Sequence, residues 1–173
     1  MATAFYQTSP AYGSPAAWCE SNHAIGHVID RHHAKLKHAI ELAGGIRQHL
    51  EKLFPLMDEL CLQTCRLCPN PCCLVATVWI DFRDLLFLHL SELPIPPAQL
   101  IARLDQSCRY LGYHGCRLPR LLRPWACTVY ICGTQWHRLR RKPQSIQQTF
   151  DHNVATIKAD RLEMEAAFIE VIT

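Results

Sequence analysis

Residues 61–73 read CLQTCRLCPNPCC, and residues 108–132 read CRYLGYHGCRLPRLLRPWACTVYIC. Neither stretch reads as regular structure. Pro69 and Pro71 each fix their own φ and disfavour helix in the residue before, so the first stretch must turn. Gly112, Gly115, Pro119 and Pro124 break up the second in the same way. Between them the two stretches hold nine of the ten cysteines of a 173-residue chain.

Working outward, helical patterns flank this centre on both sides. Ser21 or Asn22 is a capping residue for a helix carrying Ile25, Val28, Ile29, Leu36, Ile40 and Ala43 at helical spacing. Gly44-Gly45 predicts a break or kink, and Ile46, Leu50, Leu53, Met57 and Leu60 continue the pattern past a second kink at Pro55. This predicts a long bent helix or a helical hairpin. On the far side, an amphipathic helix is predicted over Ser145–Ile172, with Ile146, Phe150, Val154, Ile157, Leu162, Phe168 and Ile169 on its apolar face. Within the centre, Leu74–Ile80 is a short β-prone run. Asp81 can cap a helix reaching about Leu93. Pro97 can open another over Ala98–Leu104.

The fold class that follows is mainly α: a single domain in which helices flank an irregular, cysteine-rich, metal-binding centre. Residues 1–20, rich in small and polar residues with Pro10, Gly13 and Pro15, read as a flexible arm. Residues 21–173 read as one helical domain with its cysteine core at 61–133. A hydrophobic content of 49% suffices for a core at this length, so the cysteines are not needed merely to staple the fold.

Ten cysteines mean either a secreted disulfide framework or an intracellular metal protein. The first twenty residues contain no Lys or Arg and no apolar run of the kind a secretory signal needs. No stretch reaches the length of a membrane span. The expectation is a cytoplasmic protein with reduced thiols and no membrane partner.

The metal ligands expected from spacing are Cys65, Cys68, Cys72 and Cys73 in the first stretch and Cys108, Cys116, Cys127 and Cys132 in the second. Two cysteines separated by two residues, as at Cys65 and Cys68, can bend round one ion. An all-thiolate set selects zinc or an iron–sulfur cluster over hard cations, each taking four cysteines. Eight cysteines fill two such sites, or one with spares. Because the groups lie far apart in sequence, they are expected to meet in space and share at least one site. Cys72 and Cys73, adjacent in the chain, point to opposite sides in extended backbone and can serve different sites. Cys61 fits the helix pattern and Cys19 falls in the arm, so both read as bystanders.

The two stretches together resemble the bacterial zinc- or iron-chelating cysteine-cluster proteins, whose pattern begins CxxCxxCC. Cys65, Cys68, Cys72 and Cys73 match the first motif. Cys108, Tyr110 and Leu111 match the second, Gly115-Cys116 the third, Arg123, Pro124 and Cys127 the fourth, and Cys132 the last. The spacing departs once, with three residues rather than two between Cys68 and Cys72. The resemblance covers about residues 61–133 and implies a metal site without an assigned reaction. Flagellin lysine methylases carry a similar cluster beside an enzymatic region, but no cofactor motif of that kind is present here.

Other residues offer weaker sites. His23 and His27, with Asp30, can make a second metal site, although a solvated polar face is the favoured reading. His114, between two cluster cysteines, can replace one as ligand. No acidic residue occurs between Asp105 and Asp151, a gap that holds Arg109, Arg117, Arg120, Arg123, Arg138, Arg140, Arg141 and Lys142. These cations can offset the negative charge of a thiolate-bound metal, with Arg123 best placed to do so. Alternatively, with Trp125, Tyr130 and Trp136, segment 109–142 can serve a zinc-stapled module that binds nucleic acid or a protein partner. Compensation of the site is the favoured role. No phosphate loop, HExxH or nucleophile-elbow motif is present, so no enzymatic reaction is assigned.

Overall fold

The computed structural model describes residues 10–65, 68–113 and 115–173, without the side chains of Cys73 and Val75. The first helix, α1, spans Pro15–His32 and is capped by Ser14, whose side chain accepts from the Ala17 N–H at 3.1 Å. Pro15 opens it, where a missing N–H costs nothing. The helix therefore begins ahead of the predicted cap at Ser21 or Asn22, and the predicted arm 1–20 is corrected from residue 10 onward. Pro10 is buried, and Trp18 is 5% exposed with its indole N–H donating to Pro96 O at 3.0 Å. A buried tryptophan this close to the N-terminus anchors the segment to the body. Residues 1–9 of that arm lie outside the described residues.

The chain turns at residues 33–36 and enters α2, Lys37–Thr64. The predicted break at Gly44-Gly45 does not occur, and α2 also runs through Pro55. Its buried residues explain why. Ala39, Ala43, Ile46, Leu50, Leu53, Met57 and Leu60 recur at alternating steps of four and three, a continuous apolar seam. A Gly costs only about 1 kcal/mol in a helix, which burial along the whole seam outweighs.

The partner of that seam is the last helix. The numbering of the short elements follows the chain: α3 is Cys72–Val75, α4 is Phe82–Leu90, α5 is Trp125–Val129, α6 is Gly133–Leu139 and α7 is Gln144–Ile172. Helix α7 lies antiparallel to α2. His38 meets Glu163 at 2.8 Å, His49 meets Asn153 at 2.6 Å, and Lys142, just before α7, meets Glu59 at 2.7 Å. The extent of α7 matches the sequence prediction, but its buried face is rotated. Phe150, Asn153, Ile157, Arg161, Met164 and Phe168 face inward, while Ile146, Leu162 and Ile169 of the predicted face are exposed. The polar members of the true face have partners, which hydropathy alone does not register.

Helix α4 sits between α1, α2 and α7 and is buried nearly all round, at Asp84, Leu85, Leu86, Phe87, Leu88 and Leu90. Asp81 caps it as predicted: its carboxylate accepts from Asp84 N at 2.8 Å, and the Asp84 carboxylate accepts in return from Asp81 N at 3.1 Å. Arg161 of α7 joins this cap, with Nη1 2.8 Å from Asp84 Oδ1 and Nη2 3.2 Å from Asp81 Oδ1. Trp125 N, at the start of α5, donates to Asp84 Oδ1 at 2.9 Å, and the guanidinium lies over the Trp125 ring. Burial pushes the Asp84 carboxyl up to about 6 against the opposing pull of Arg161. One buried ionic knot thus fastens α4, α5 and α7 together.

Two predicted elements in the centre are absent. Residues 76–80 are extended but form no strand. The one ladder among the described residues is the two-residue pair β1 (Leu111–Gly112) and β2 (Gly115–Cys116). Ala98–Leu104 is not helical. Gln99, Leu100 and Ile101 are all buried in succession, a pattern no surface helix can give. Gln99 instead ties this segment to residue 80. Its Oε1 accepts from Ile80 N at 2.7 Å and from Leu100 N at 2.9 Å, and its Nε2 donates to Ile80 O at 2.9 Å. The molecule is a mainly helical, single compact body, as the sequence predicts. Among the described residues no helix is long and apolar enough to cross a membrane.

Candidate metal centre

The last turn of α2 carries Cys61 and Cys65 one helical turn apart, so both sulfurs lie on the same side of the helix. Facing them is the first turn of α6. Cys132 is its N-cap residue, and its sulfur and backbone N–H exchange hydrogen bonds with Gln135 in a capping-box arrangement. Gln135 is only 4% exposed. Its Oε1 accepts from Cys132 N at 3.3 Å, and its Nε2 stands 3.6 Å from both the Cys61 and the Cys65 sulfur. A single buried amide therefore links the Cys65 sulfur of the first cysteine stretch to the backbone of Cys132 in the second.

Charge is arranged around the same corner. Arg120, in a 3-10 turn at Arg120–Leu122, pairs with Asp58 and directs Nη2 to the Cys61 sulfur at 3.7 Å. Arg138 reaches Gln63 at 3.2 Å, and Lys142 reaches Glu59. Three cations of the acid-free segment thus hold the last turns of α2. Arg123, expected to offset site charge, instead donates to the backbone carbonyls of Leu118 at 2.9 Å and Cys116 at 3.5 Å. It braces the loop, and Arg120 is the cation that meets a sulfur. Of the remaining aromatic and basic residues, Trp136 is exposed with the Arg140 guanidinium 4.4 Å from its ring centroid.

The thiols respond to these surroundings. Loss of hydration pushes Cys65 up to about 11. The nearby Cys61 and Cys72 thiols add to the rise, and a hydrogen bond with the Thr64 hydroxyl opposes it. Cys108 is raised as well, mainly by burial and further by Cys116.

The other predicted ligands are spread more widely. Cys108, Cys116 and Cys127 are half-buried and pack against the hydrophobic core, while Cys68 and Cys72 are exposed. The Cys73 side chain and His114 lie outside the described residues. None of the nine cysteines with described side chains forms a disulfide. Among the described residues, no three His, Cys, Asp or Glu side chains stand close enough together to hold an ion. That includes His23, His27 and Asp30. His23 Nδ1 instead faces the Cys19 sulfur at 3.8 Å. What the corner of α2 and α6 does bring together is the pair of α2 sulfurs, with one amide nitrogen 3.6 Å from each and a guanidinium at Cys61.

Sequence spacing misses two neighbours of the Cys65 sulfur. Cys61 fits the helix pattern, and its position four residues before Cys65 is itself a signal for a shared face. Gln135 stands three residues after Cys132, the spacing of a capping box with a cysteine in place of the usual Ser or Thr. Comparison with protein-family models, with curated proteins and with solved structures finds no match to this chain.

Proposed function

We propose that this is a metal-binding protein that holds an iron–sulfur cluster or zinc through Cys65, Cys68, Cys72, Cys73, Cys108, Cys116, Cys127 and Cys132. The observation that carries the reading is the Gln135 amide, whose Nε2 stands 3.6 Å from the Cys65 sulfur while its Oε1 accepts from the backbone N–H of Cys132, 67 residues further along the sequence. A buried amide N–H is poorly satisfied by a neutral thiol, which is a weak acceptor, and well satisfied by a metal-bound thiolate. The resemblance to zinc- or iron-chelating cysteine-cluster proteins, over about residues 61–133, points the same way. The all-cysteine set, together with the reducing cytoplasmic setting we infer for it, favours the iron–sulfur form. The acid-free segment favours this reading over a nucleic-acid or protein-interaction module, because Arg120, Arg138 and Lys142 are engaged with α2.

The test is elemental analysis with a visible spectrum on protein purified without oxygen. Iron with acid-labile sulfide and a brown colour supports cluster chemistry. Colourless protein with about one or two zinc per chain supports a structural or metal-handling role, since zinc has neither visible absorbance nor redox chemistry. Neither metal, with all thiols free, overturns the proposal.

A further inference from the structure

Cys61 and Cys65 stand one helical turn apart at the end of α2, and their sulfurs share a donor. The buried Gln135 side chain places Nε2 3.6 Å from each, so the two sulfurs are no further apart than twice that distance. A second donor, Arg120 Nη2, meets the Cys61 sulfur alone at 3.7 Å, and that arginine is held by its pair with Asp58. Both thiols are free, with Cys65 exposed and Cys61 half-buried. Two free sulfurs turned to one side of an accessible helix end are the elements of a thiol–disulfide couple.

We propose that Cys61 and Cys65 close into a reversible intramolecular disulfide, a redox site whose oxidant is a low-molecular-weight disulfide and whose reductant is a thiol. The backbone is already within reach. Four residues of helix rise about 6 Å, inside the roughly 4.4–6.8 Å that a disulfide spans between Cα atoms. The Cβ atoms of residues one turn apart are about 5–6 Å apart, whereas a disulfide needs about 3.5–4.5 Å. Ring closure therefore tightens one turn by about 1–2 Å. Cys65 is the C-cap of α2, so the turn that tightens is the last one, where helices readily contract toward 3-10 geometry. A bond closed against helix geometry is one that external thiols reopen. In a reducing compartment such bonds are transient and serve sensing rather than stapling.

The reaction is two thiol–disulfide exchanges in sequence. The Cys61 sulfur attacks one sulfur of the external disulfide, with the Arg120 guanidinium facing the charge it carries. A mixed disulfide forms on Cys61, the external S–S bond breaks, and the departing thiolate takes up the proton that Cys61 gave up. The Cys65 sulfur then attacks Cys61 and closes the ring, and the second external thiol departs with the Cys65 proton. Two electrons and two protons thus pass from the dithiol to the external disulfide, which leaves as two thiols. The couple goes beyond the metal-binding reading and does not require it. Where both hold, ring closure withdraws Cys65 from the ligand set.

The test uses the full chain, reduced, stripped of metal and equilibrated in glutathione with a rising share of glutathione disulfide, then quenched with acid and alkylated. Trypsin releases residues 53–66, LFPLMDELCLQTCR, which hold Cys61 and Cys65 and no other cysteine. In the folded protein this peptide is expected to be the first to escape alkylation, lighter by two hydrogens, and to return to the alkylated form when thiol is restored. In urea the links should scatter among the ten cysteines. Cys65→Ser cannot close the ring and is expected to accumulate the glutathione adduct on Cys61. Peptide 53–66 alkylated at both cysteines over the whole range, a ring that closes only after other cysteines have linked, or no adduct on Cys61 in Cys65→Ser overturns the inference. The zinc and iron of the as-purified protein are measured separately. Ring closure in a chain that purifies without metal supports this inference and overturns the metal-binding reading. Metal without ring closure does the reverse.

Discussion

Replacing Arg161 by Met tests the ionic knot between α4, α5 and α7, and its effect should depend on pH in a specified direction. The side chain of Arg161 is 6% exposed, and that of Asp84 is 7% exposed. Methionine keeps a long apolar side chain in the slot and removes the guanidinium. The Asp84 carboxyl is already pushed up to about 6 by burial, with Arg161 the strongest influence holding it down. Without Arg161 that pKa rises further. An acid whose folded pKa lies above its unfolded value of about 3.9 binds protons more readily in the folded state. Stability therefore falls as pH rises through that interval. In the wild type this fall ends near pH 6, whereas in the variant it continues. From pH 6 to 8, at 1.36 kcal/mol per unit, the gap between the two proteins should widen by up to about 3 kcal/mol. For a chain of this size that is roughly 5–10 °C in melting temperature. Below pH 5 only the pH-independent loss remains, from the Trp125 contact and the hydrogen bonds to Asp81 and Asp84. Thermal unfolding followed by circular dichroism at pH 5, 6, 7 and 8 measures the gap, with Arg161→Lys as a charge-retaining control. A gap that stays constant with pH, or narrows as pH rises, would refute the reasoning.

Three further outcomes are expected. Gln99→Leu strips partners from Ile80 N, Ile80 O, Leu100 N and Ala11 O. At about 1–3 kcal/mol for each buried orphan, urea unfolding should lose about 3 kcal/mol or more with an unchanged slope. Trp18→Phe keeps the buried ring but removes the N–H donor to Pro96 O, and should cost about 1 kcal/mol in the same assay. Cys68→Ser or Cys127→Ser, prepared as metal-loaded protein beside wild type, should lower the melting temperature. An unchanged value would count against coupling of metal binding to the folding of the centre.

The elements legible in the sequence are those whose burial follows a period. The α2 seam could be read from Ile46 to Leu60 because tertiary packing keeps the four-and-three step intact. The Asp81 cap of α4 could be read because the box is local in sequence. The misreadings have a common physical source in long-range polar contacts. The glycine pair at 44–45 reads as a break or kink only when its cost is weighed without the packing that α7 supplies. The buried face of α7 was misplaced because Asn153 and Arg161 count as polar in any hydropathy pattern. Both are satisfied by partners about 80–105 residues away, His49 for one and Asp81 and Asp84 for the other. The segment 98–104 was read as helix from Pro97 alone, whereas Gln99 spends its amide on Ile80 and holds the backbone extended.

The same distinction bears on the cysteine corner. Motif spacing marks where the cysteines cluster along the chain, because spacing and proline turns are local. It did not identify Gln135 or Arg120, since neither has a sequence relation to Cys61 that spacing can express: they lie 74 and 59 residues away. Their shared target sets Cys61 apart from the apolar seam of α2. The seam residues of that helix are at most 6% exposed, and those from Ala39 to Met57 belong to the hydrophobic core. Cys61 falls one position beyond Leu60, off the seam, half-buried, and met by two nitrogen donors.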